Sequence, residues 1–121
     1  MATHDSAELE LCNEVRLVGR VPALAEERVL PSGDVLCVFR VAITRDPSSA
    51  GPSGSPRRHV DSLECVAWNG RVRRSALGWA VGDVVEVTGS LRRRFFRSAA
   101  GTASRVEVEV GSARRLRRAR A

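Results

Sequence analysis

The sequence contains no lysine and no tyrosine, and all 20 residues of the Lys+Arg class are arginine. Its apolar runs are all shorter than the roughly 18 residues that a membrane-spanning helix needs. The three cysteines are an odd number without a Cys-x-x-Cys pair, which argues against a disulfide framework or a zinc ribbon. The residues before Cys12 include acids but no arginine, the wrong polarity for a secretory signal. These absences predict a cytoplasmic protein with reduced thiols and without a membrane segment, metal or cofactor.

The arginines are unevenly distributed along the chain. Residues 1–56 contain five arginines and eight acidic residues, whereas residues 57–121 contain fifteen arginines and six acidic residues. A basic half of this size is typical of proteins that bind a polyanion such as nucleic acid. Planar guanidinium groups also suit this task because they grip phosphate and stack on rings. GC-rich coding would likewise replace lysine by arginine, so composition alone leaves both explanations open.

Alternation of apolar and polar residues predicts a chain built mainly from strands. The five predicted strands are Glu14–Val21, Val35–Thr44, Val60–Trp68, Val84–Leu91 and Arg105–Val110. The turn-forming segment Leu30–Asp34 predicts that the first two strands form a hairpin. Apolar residues follow a helical period in Arg71–Val81, where we expect a short helix capped by Gly82.

Five strands with one short helix between strands 3 and 4 match a five-stranded oligonucleotide/oligosaccharide-binding (OB-fold) barrel, an all-β fold. A β-sandwich would need about seven strands and no such helix. The length allows one domain, which we expect over residues 13–113. We also expect a flexible leader at 1–12, a flexible Ser/Gly/Pro-rich loop at 46–58 and a basic C-terminal tail at 114–121.

Four parts of the sequence, in order and at matching spacing, resemble bacterial single-stranded DNA-binding proteins. Asn13–Arg20 is similar to the opening strand of that family, N-x-V-x-L-x-G. Leu30–Gly33 with Val38–Ala42 resembles the turn and second strand. Trp68–Gly70 stands where the family has an aromatic and a small residue before the helix. Gly82–Arg92 resembles the fourth strand, G-x-x-V-x-V-x-G-x-L-R.

The resemblance implies sequence-independent binding of single-stranded DNA and its protection during replication, repair or recombination. It also implies a barrel that assembles into a homo-oligomer, a tetramer or a dimer. Members of the family stack bases on aromatic rings and pair phosphates with basic residues. Stacking of this kind contributes about 1–3 kcal/mol per base, and phosphate contacts make binding depend steeply on salt.

The chain departs from the family pattern in two ways. Thr44–Asp46 and Ser62 stand where the family has aromatic residues, so two stacking positions remain, at Trp68 and at Phe96 with its neighbour Phe95. The family also ends in a tail with an acidic, hydrophobic tip that recruits other proteins. The corresponding end of this chain is rich in arginine, so we do not expect partners that depend on an acidic tail.

The segment Arg92–Arg97 contains four arginines and two phenylalanines at a predicted hairpin tip, which fits stacking combined with phosphate binding. One of these phenylalanines could instead fold into an oligomer interface. Trp68 falls on the strand face opposite Cys65 and Ala67, so we expect it outside the core, whereas Trp79 is expected inside the core. The candidate nucleic-acid-binding residues are Trp68, Phe95, Phe96, Arg92, Arg93, Arg94, Arg97, Arg57, Arg58, Arg40, Arg71 and Arg16.

Catalysis has little support in the sequence, and we expect no enzyme. His4 and His59 lack a cysteine, serine or carboxylate at an instructive spacing, and no Gly-rich phosphate loop precedes a helix. Cys37 and Cys65 fall on apolar strand faces, which is typical of inert core thiols. The alternative to DNA binding is a protein-interaction or RNA-binding module on the same barrel, with reduced affinity for single-stranded DNA. A third possibility, a protein that binds double-stranded nucleic acid or chromatin, is supported by the basic tail alone.

Overall fold

The computed structural model describes residues 9–45 and 59–120. Most of the predicted leader and the whole of the predicted loop 46–58, with Arg57 and Arg58, lie outside the described residues. The described chain forms six strands and one helix. In chain order they are β1 (Val15–Arg20), β2 (Glu26–Val29), β3 (Val35–Thr44), β4 (Val60–Ala67), α1 (Gly70–Leu77), β5 (Val84–Ser98) and β6 (Gly101–Arg117).

Five of these strands close into a ring in the order β1-β5-β6-β4-β3. Neighbours in the ring are antiparallel except β4 and β6, and the ring closes where Arg20 of β1 pairs with Ala42 of β3. Gly19 permits this closure, because a Cβ at that position would collide with the carbonyl oxygen of Ala42. The predicted five-stranded all-β barrel, with its helix between the third and fourth strands of the ring, is confirmed.

The core lies inside this ring and under the helix. Cys37, Phe39 and Val41 point inward from β3, as their alternation predicts, and all three are buried. Phe39 meets Trp79 edge to face, with ring centroids 5.4 Å apart and planes at 88°. Trp79 therefore belongs to the core, as predicted. The other core residues are Val21, Cys65, Ala67, Val72, Ala76, Val85, Val87, Val108 and Val110.

The turn at Leu30–Asp34 joins β2 to β3. The first two predicted strands correspond to β1 and β3, so the prediction that this turn joins them in a hairpin is wrong. Gly33 adopts a φ of 94° in this turn, a left-handed conformation that glycine accepts without strain. The sequence pattern does not reveal β2 because all four of its residues are exposed and none alternates with a buried one. Its pairing partner is the outer edge of β3.

The helix is shorter than predicted, and the last two strands are longer. Helix α1 ends at Leu77 and is capped by Gly78, whereas Gly82, with a φ of 94°, lies in the turn before β5. Strands β5 and β6 pair as far as Ser98 and Gly101, well past the level at which β6 pairs with β4. We call the projecting part of this hairpin, residues 92–107, the arm.

Strand β6 continues to Arg117, so the segment expected as a basic tail from Arg114 starts as a strand. The alternation of its side chains is invisible in the sequence because arginines occupy both faces. The helix of the described chain has eight residues, too few to cross a membrane.

Candidate nucleic-acid interface

A groove lies on the outer face of β3, β4 and β6 and reaches the arm. Side chains alternate across a strand, so Val38 and Val66 point outward from between core residues and form the apolar floor. Charged residues and Trp68 form the walls of a cleft of about 200 Å³. The groove is lined by Arg28, Leu30, Leu36, Val38, Glu64, Cys65, Val66, Trp68, Arg94, Arg105 and Glu107.

Trp68 stands where β4 ends and helix α1 begins. Asn69 caps the helix, because its Oδ1 accepts hydrogen bonds from the backbone N–H groups of Arg71 at 2.8 Å and Val72 at 3.4 Å. The Arg73 side chain donates from Nε to the Trp68 carbonyl oxygen at 3.3 Å. The backbone around Trp68 is therefore fixed, and its half-buried ring lines the groove outside the core, as predicted.

The side chains of the predicted arginine-aromatic segment, Arg92–Arg97, lie on two opposite faces of the arm. Residues that pair across antiparallel strands share a face, and Arg92 pairs with Glu107 while Arg94 pairs with Arg105. This is the face of the groove, and Phe96 lies on it too. The opposite face of the arm carries Arg93, Phe95 and Arg97.

One buried carboxylate connects two aromatic rings through two arginines. The side chain of Glu107 is only 7 % exposed; its Oε2 lies 2.8 Å from Nε of Arg94 and its Oε1 lies 3.8 Å from Nε of Arg105. The guanidinium carbon of Arg94 lies 5.7 Å from the ring centroid of Trp68, and that of Arg105 lies 5.6 Å from that of Phe96. Both distances are typical of cation–π contacts. Two rings and two cations are thus joined in one continuous network.

Other groove arginines also have carboxylate partners. Nη2 of Arg92 lies 3.3 Å from Oε1 of Glu109. Nη2 of Arg40 lies 3.9 Å from Oε1 of Glu64, and Nη1 of Arg105 lies 3.9 Å from Oε2 of the same glutamate. Exposed pairs of this kind add little to stability. Their effect is on the groove itself, where they fix the direction of each guanidinium and offset part of its charge.

Comparison with known proteins adds evidence from the whole chain. Residues 12–116 match the model of the "Single-strand binding protein family". The chain belongs to this family. It is 30 % identical over 112 residues to "Single-stranded DNA-binding protein 1" of Streptococcus agalactiae, with 92 % of this chain and 66 % of that protein aligned. It is 32 % identical over 92 residues to "Single-stranded DNA-binding protein" of Streptococcus pyogenes, with 75 % of this chain and 53 % of that protein aligned.

The chain thus spans less than two thirds of the length of these two single-strand binding relatives. Among solved structures, it resembles one titled "Plasmodium falciparum SSB complex with ssDNA", with a TM-score of 0.71. The two are 19 % identical, and the alignment covers 89 % of this chain and 97 % of that one. This likeness supports the OB-fold that the strand order already shows. The expectation of a binding protein rather than an enzyme agrees with membership in the single-strand binding family.

The structure brings five of the predicted site residues to the groove side of the barrel. They are Trp68, Phe96, Arg92, Arg94 and Arg40. Arg105, which the sequence pattern does not single out, joins them. Its strand alternates cleanly, but only the pairing of Arg105 with Arg94 reveals that it shares the face of Phe96.

Two further predicted arginines lie elsewhere on the barrel. Arg16 forms ion pairs with Glu86, which also binds Arg114 at 2.8 Å. A hydrogen bond from Arg114, and to a smaller extent one from Arg16, lowers the pKa of the Glu86 carboxyl. Arg71 lies in the first turn of helix α1 and lines a separate cleft with Arg74. Neither belongs to the groove.

The two core cysteines are unsuited to chemistry, as predicted. Both Cys37 and Cys65 are buried and free. Burial, with a smaller effect of Glu107 and Glu64, raises the pKa of Cys65 to about 12, and burial also raises the pKa of Cys37. Neither thiol therefore forms a thiolate readily near neutral pH. Among the described residues, no three His, Cys, Asp or Glu side chains cluster as metal ligands would.

Proposed function

We propose that this chain binds single-stranded DNA without sequence preference and protects it during replication, repair or recombination. The observation that carries the proposal is the groove network, in which Trp68 and Phe96 are each covered by an arginine held on Glu107. Family membership and the relatives named for single-stranded DNA binding support the same function.

The mechanism combines stacking with phosphate contacts. Bases of an unpaired strand have exposed faces, and every base has one, so stacking on Trp68 and Phe96 is tolerant of sequence. The planar guanidinium groups of Arg94 and Arg105 extend the stacking surface, because guanidinium planes stack on rings as well as bind phosphate. Arg92 and Arg40, both more than half exposed, flank this row and meet the phosphate backbone.

A homo-oligomer, dimer or tetramer, is part of this proposal. Within the described residues, β1 pairs with β5 along its whole length but with β3 only at Arg20. The remaining edge of β1 therefore presents backbone groups that a second copy can pair with. We also propose that the protein acts in the cytoplasm, which fits a family that binds DNA. Light scattering coupled to size-exclusion chromatography measures the assembly directly.

The test of function is fluorescence anisotropy of labelled oligo-dT, comparing the wild-type protein with Trp68→Ala and Trp68→Phe. Loss of one stacked base costs about 1–3 kcal/mol, so we expect Trp68→Ala to weaken binding by about 5- to 150-fold. Trp68→Phe keeps a ring and should retain most of the affinity.

Competition completes the test of function. An unlabelled single strand should displace the probe far better than duplex DNA does. Equal displacement by the duplex, together with no effect of Trp68→Ala, would refute the stacking mechanism. Preference for RNA over DNA, or no binding of either, would favour the RNA-binding or protein-interaction alternative.

A further inference from the structure

A second arginine cluster lies at the end of the barrel remote from the arm. Arg20, Arg117, Arg118 and Arg120 line a cleft of about 300 Å³ together with Val81, Gly82 and Ala119. We call these four arginines the barrel-end cluster. All four are exposed. None of them belongs to the groove.

Strand pairing brings residues from distant parts of the sequence into this cluster. Val84, the first residue of β5, pairs with Arg20 of β1 on one side and with Arg117 of β6 on the other. Directly paired residues have Cβ atoms about 4.5–5.5 Å apart. Arg20 and Arg117 therefore lie on the two sides of Val84, each at about this distance from it. The side chain of Arg20 also donates from Nη1 to the carbonyl oxygen of Gly82 at 3.1 Å, which fixes it at the cleft.

A buried aspartate ties the segment after β6 to the barrel. Asp83 is 2 % exposed; its two carboxylate oxygens accept the backbone N–H groups of Ala119 at 2.7 Å and Ala80 at 2.9 Å. Arg115 approaches the same carboxylate at 3.6 Å. A Cβ at Gly82 would meet the Cβ of Ala119, so Ala119 lies close to this glycine. These contacts hold residues 118–120 in place, so Arg118 and Arg120 lie beside Arg20 and Arg117.

The charges of this cluster are unbalanced within the part of the chain that the structure describes. No carboxylate there lies within ion-pair distance of any of its four arginines, whereas Arg40, Arg92, Arg94 and Arg105 of the groove all have one. Asp83 does not balance them, because backbone N–H groups and Arg115 already occupy its oxygens. Four guanidinium groups around one cleft form a site for an anion with several phosphates.

We propose that the barrel-end cluster is a second phosphate-binding site, which holds the backbone of a single strand whose bases occupy the groove. The ligand of this second site rests on the proposed function. Val84 and Arg94 are ten residues apart on β5, a path of about 30 Å along the strand. A short oligonucleotide fills the groove alone, and only a longer one reaches both sites.

The test measures anisotropy with oligo-dT of about 8 and about 35 nucleotides, at several salt concentrations. The first variant replaces Arg117, Arg118 and Arg120 by Gln. We expect it to bind the short oligonucleotide like the wild-type protein. Loss of three phosphate contacts should reduce the slope of log affinity against log salt by about 2 for the long one, and weaken its binding by about 10- to 100-fold near 0.1 M salt.

A matched control replaces Arg45, Arg74 and Arg114 by Gln, which removes the same charge from positions outside both sites. We expect its binding of the long oligonucleotide to stay within about twofold of wild type. An equal loss in the control would overturn the proposal, because net charge alone would then explain the effect. Equal weakening of the short and long oligonucleotides by the first variant, or no effect on either, would also overturn it.

A second variant, Ala119→Pro, distinguishes a site whose arginines are held in place by the Asp83 contact from a group of basic residues without a fixed arrangement. Proline lacks the N–H that Asp83 accepts, and all four arginines remain. We expect several-fold weaker binding of the long oligonucleotide and unchanged binding of the short one. No change with Ala119→Pro would overturn the organised site. If the wild-type protein binds neither oligonucleotide, the proposed function fails; if it binds both and length makes no difference, only the second site fails.

Discussion

The groove and the barrel-end cluster use the same residue type in opposite electrostatic settings. In the groove, Arg94 and Arg105 share the buried carboxylate of Glu107 and lie over aromatic rings. At the barrel end, Arg20 and Arg117 have no carboxylate partner among the described residues and no ring beside them. Arginine therefore positions rings in the first region and supplies net charge in the second.

This difference has a measurable consequence. Counterion release by phosphate contacts gives a steep salt dependence, whereas stacking of bases on rings depends on salt far less. Changes at the rings should therefore lower affinity at every salt concentration without altering the slope. Changes at the barrel end should alter the slope.

Beyond the loss expected for Trp68→Ala, the largest effect concerns the two faces of the arm. Phe96 lies under Arg105 on the groove face, and Phe95 is on the opposite face and exposed. Phe96→Ala should weaken binding of a short oligo-dT by about 5- to 100-fold with an unchanged salt slope, whereas Phe95→Ala should change it by less than about twofold. Anisotropy at three salt concentrations measures both quantities. Equal losses in the two variants would show that both faces of the arm meet DNA.

A smaller effect is expected from the carboxylate of the groove. Glu107→Gln keeps a hydrogen-bond acceptor for Arg94 but removes a negative charge from the site, so phosphates should compete less with the protein for both arginines. We expect binding about 3- to 10-fold tighter and a steeper salt slope.

The matched control is Glu86→Gln, because Glu86 also lies between two arginines, Arg16 and Arg114, but outside the groove. This variant should leave binding within about twofold of wild type. Weaker binding by Glu107→Gln would mean that orientation of the arginines matters more than their charge, and the proposed competition would be wrong.

The smallest effect concerns the aspartate that supports the barrel end. Hydrogen bonds from the N–H groups of Ala80 and Ala119, with Arg115 nearby, lower the pKa of Asp83 below its ordinary value of 3.8. A lowered pKa means that the ionised group stabilises the fold above about pH 3.8 and that this contribution is lost as pH falls through the folded-state pKa.

Thermal unfolding between pH 6 and pH 3 measures this contribution. Because the pKa values of Glu86 and Asp61 are lowered too, the wild-type protein should lose stability in acid through all three groups. Asp83→Asn should have a lower melting temperature near neutral pH and a smaller decrease in acid. The same decrease in Asp83→Asn as in the wild-type protein would exclude Asp83 as a source of the acid sensitivity.

Much of the barrel could be predicted from the sequence, because the strands of the ring carry their own periodicity. Buried residues of β3 alternate as Cys37, Phe39 and Val41, and a half-buried strand needs no distant information to show this pattern. The helical period predicts α1 near its true place but extends it too far, because Gly78 caps the helix and Trp79 and the turn at Gly82 follow outside it. The sequence does not reveal β2, because all four of its residues are exposed and a strand exposed on both faces shows no alternation of buried and exposed positions.

The sequence by itself determined the strands of the ring, the core side of each and a segment where four arginines flank two phenylalanines. Only the tertiary structure decided which rings share a face. Trp68 follows β4 and Phe96 lies in β5, and the two rings come to one face because β4 pairs with β6 and β6 pairs with β5. The barrel-end cluster is likewise tertiary, because Arg20 and Arg117 meet only through their common neighbour Val84. Periodicity is local, but register and closure depend on partners far away in the chain.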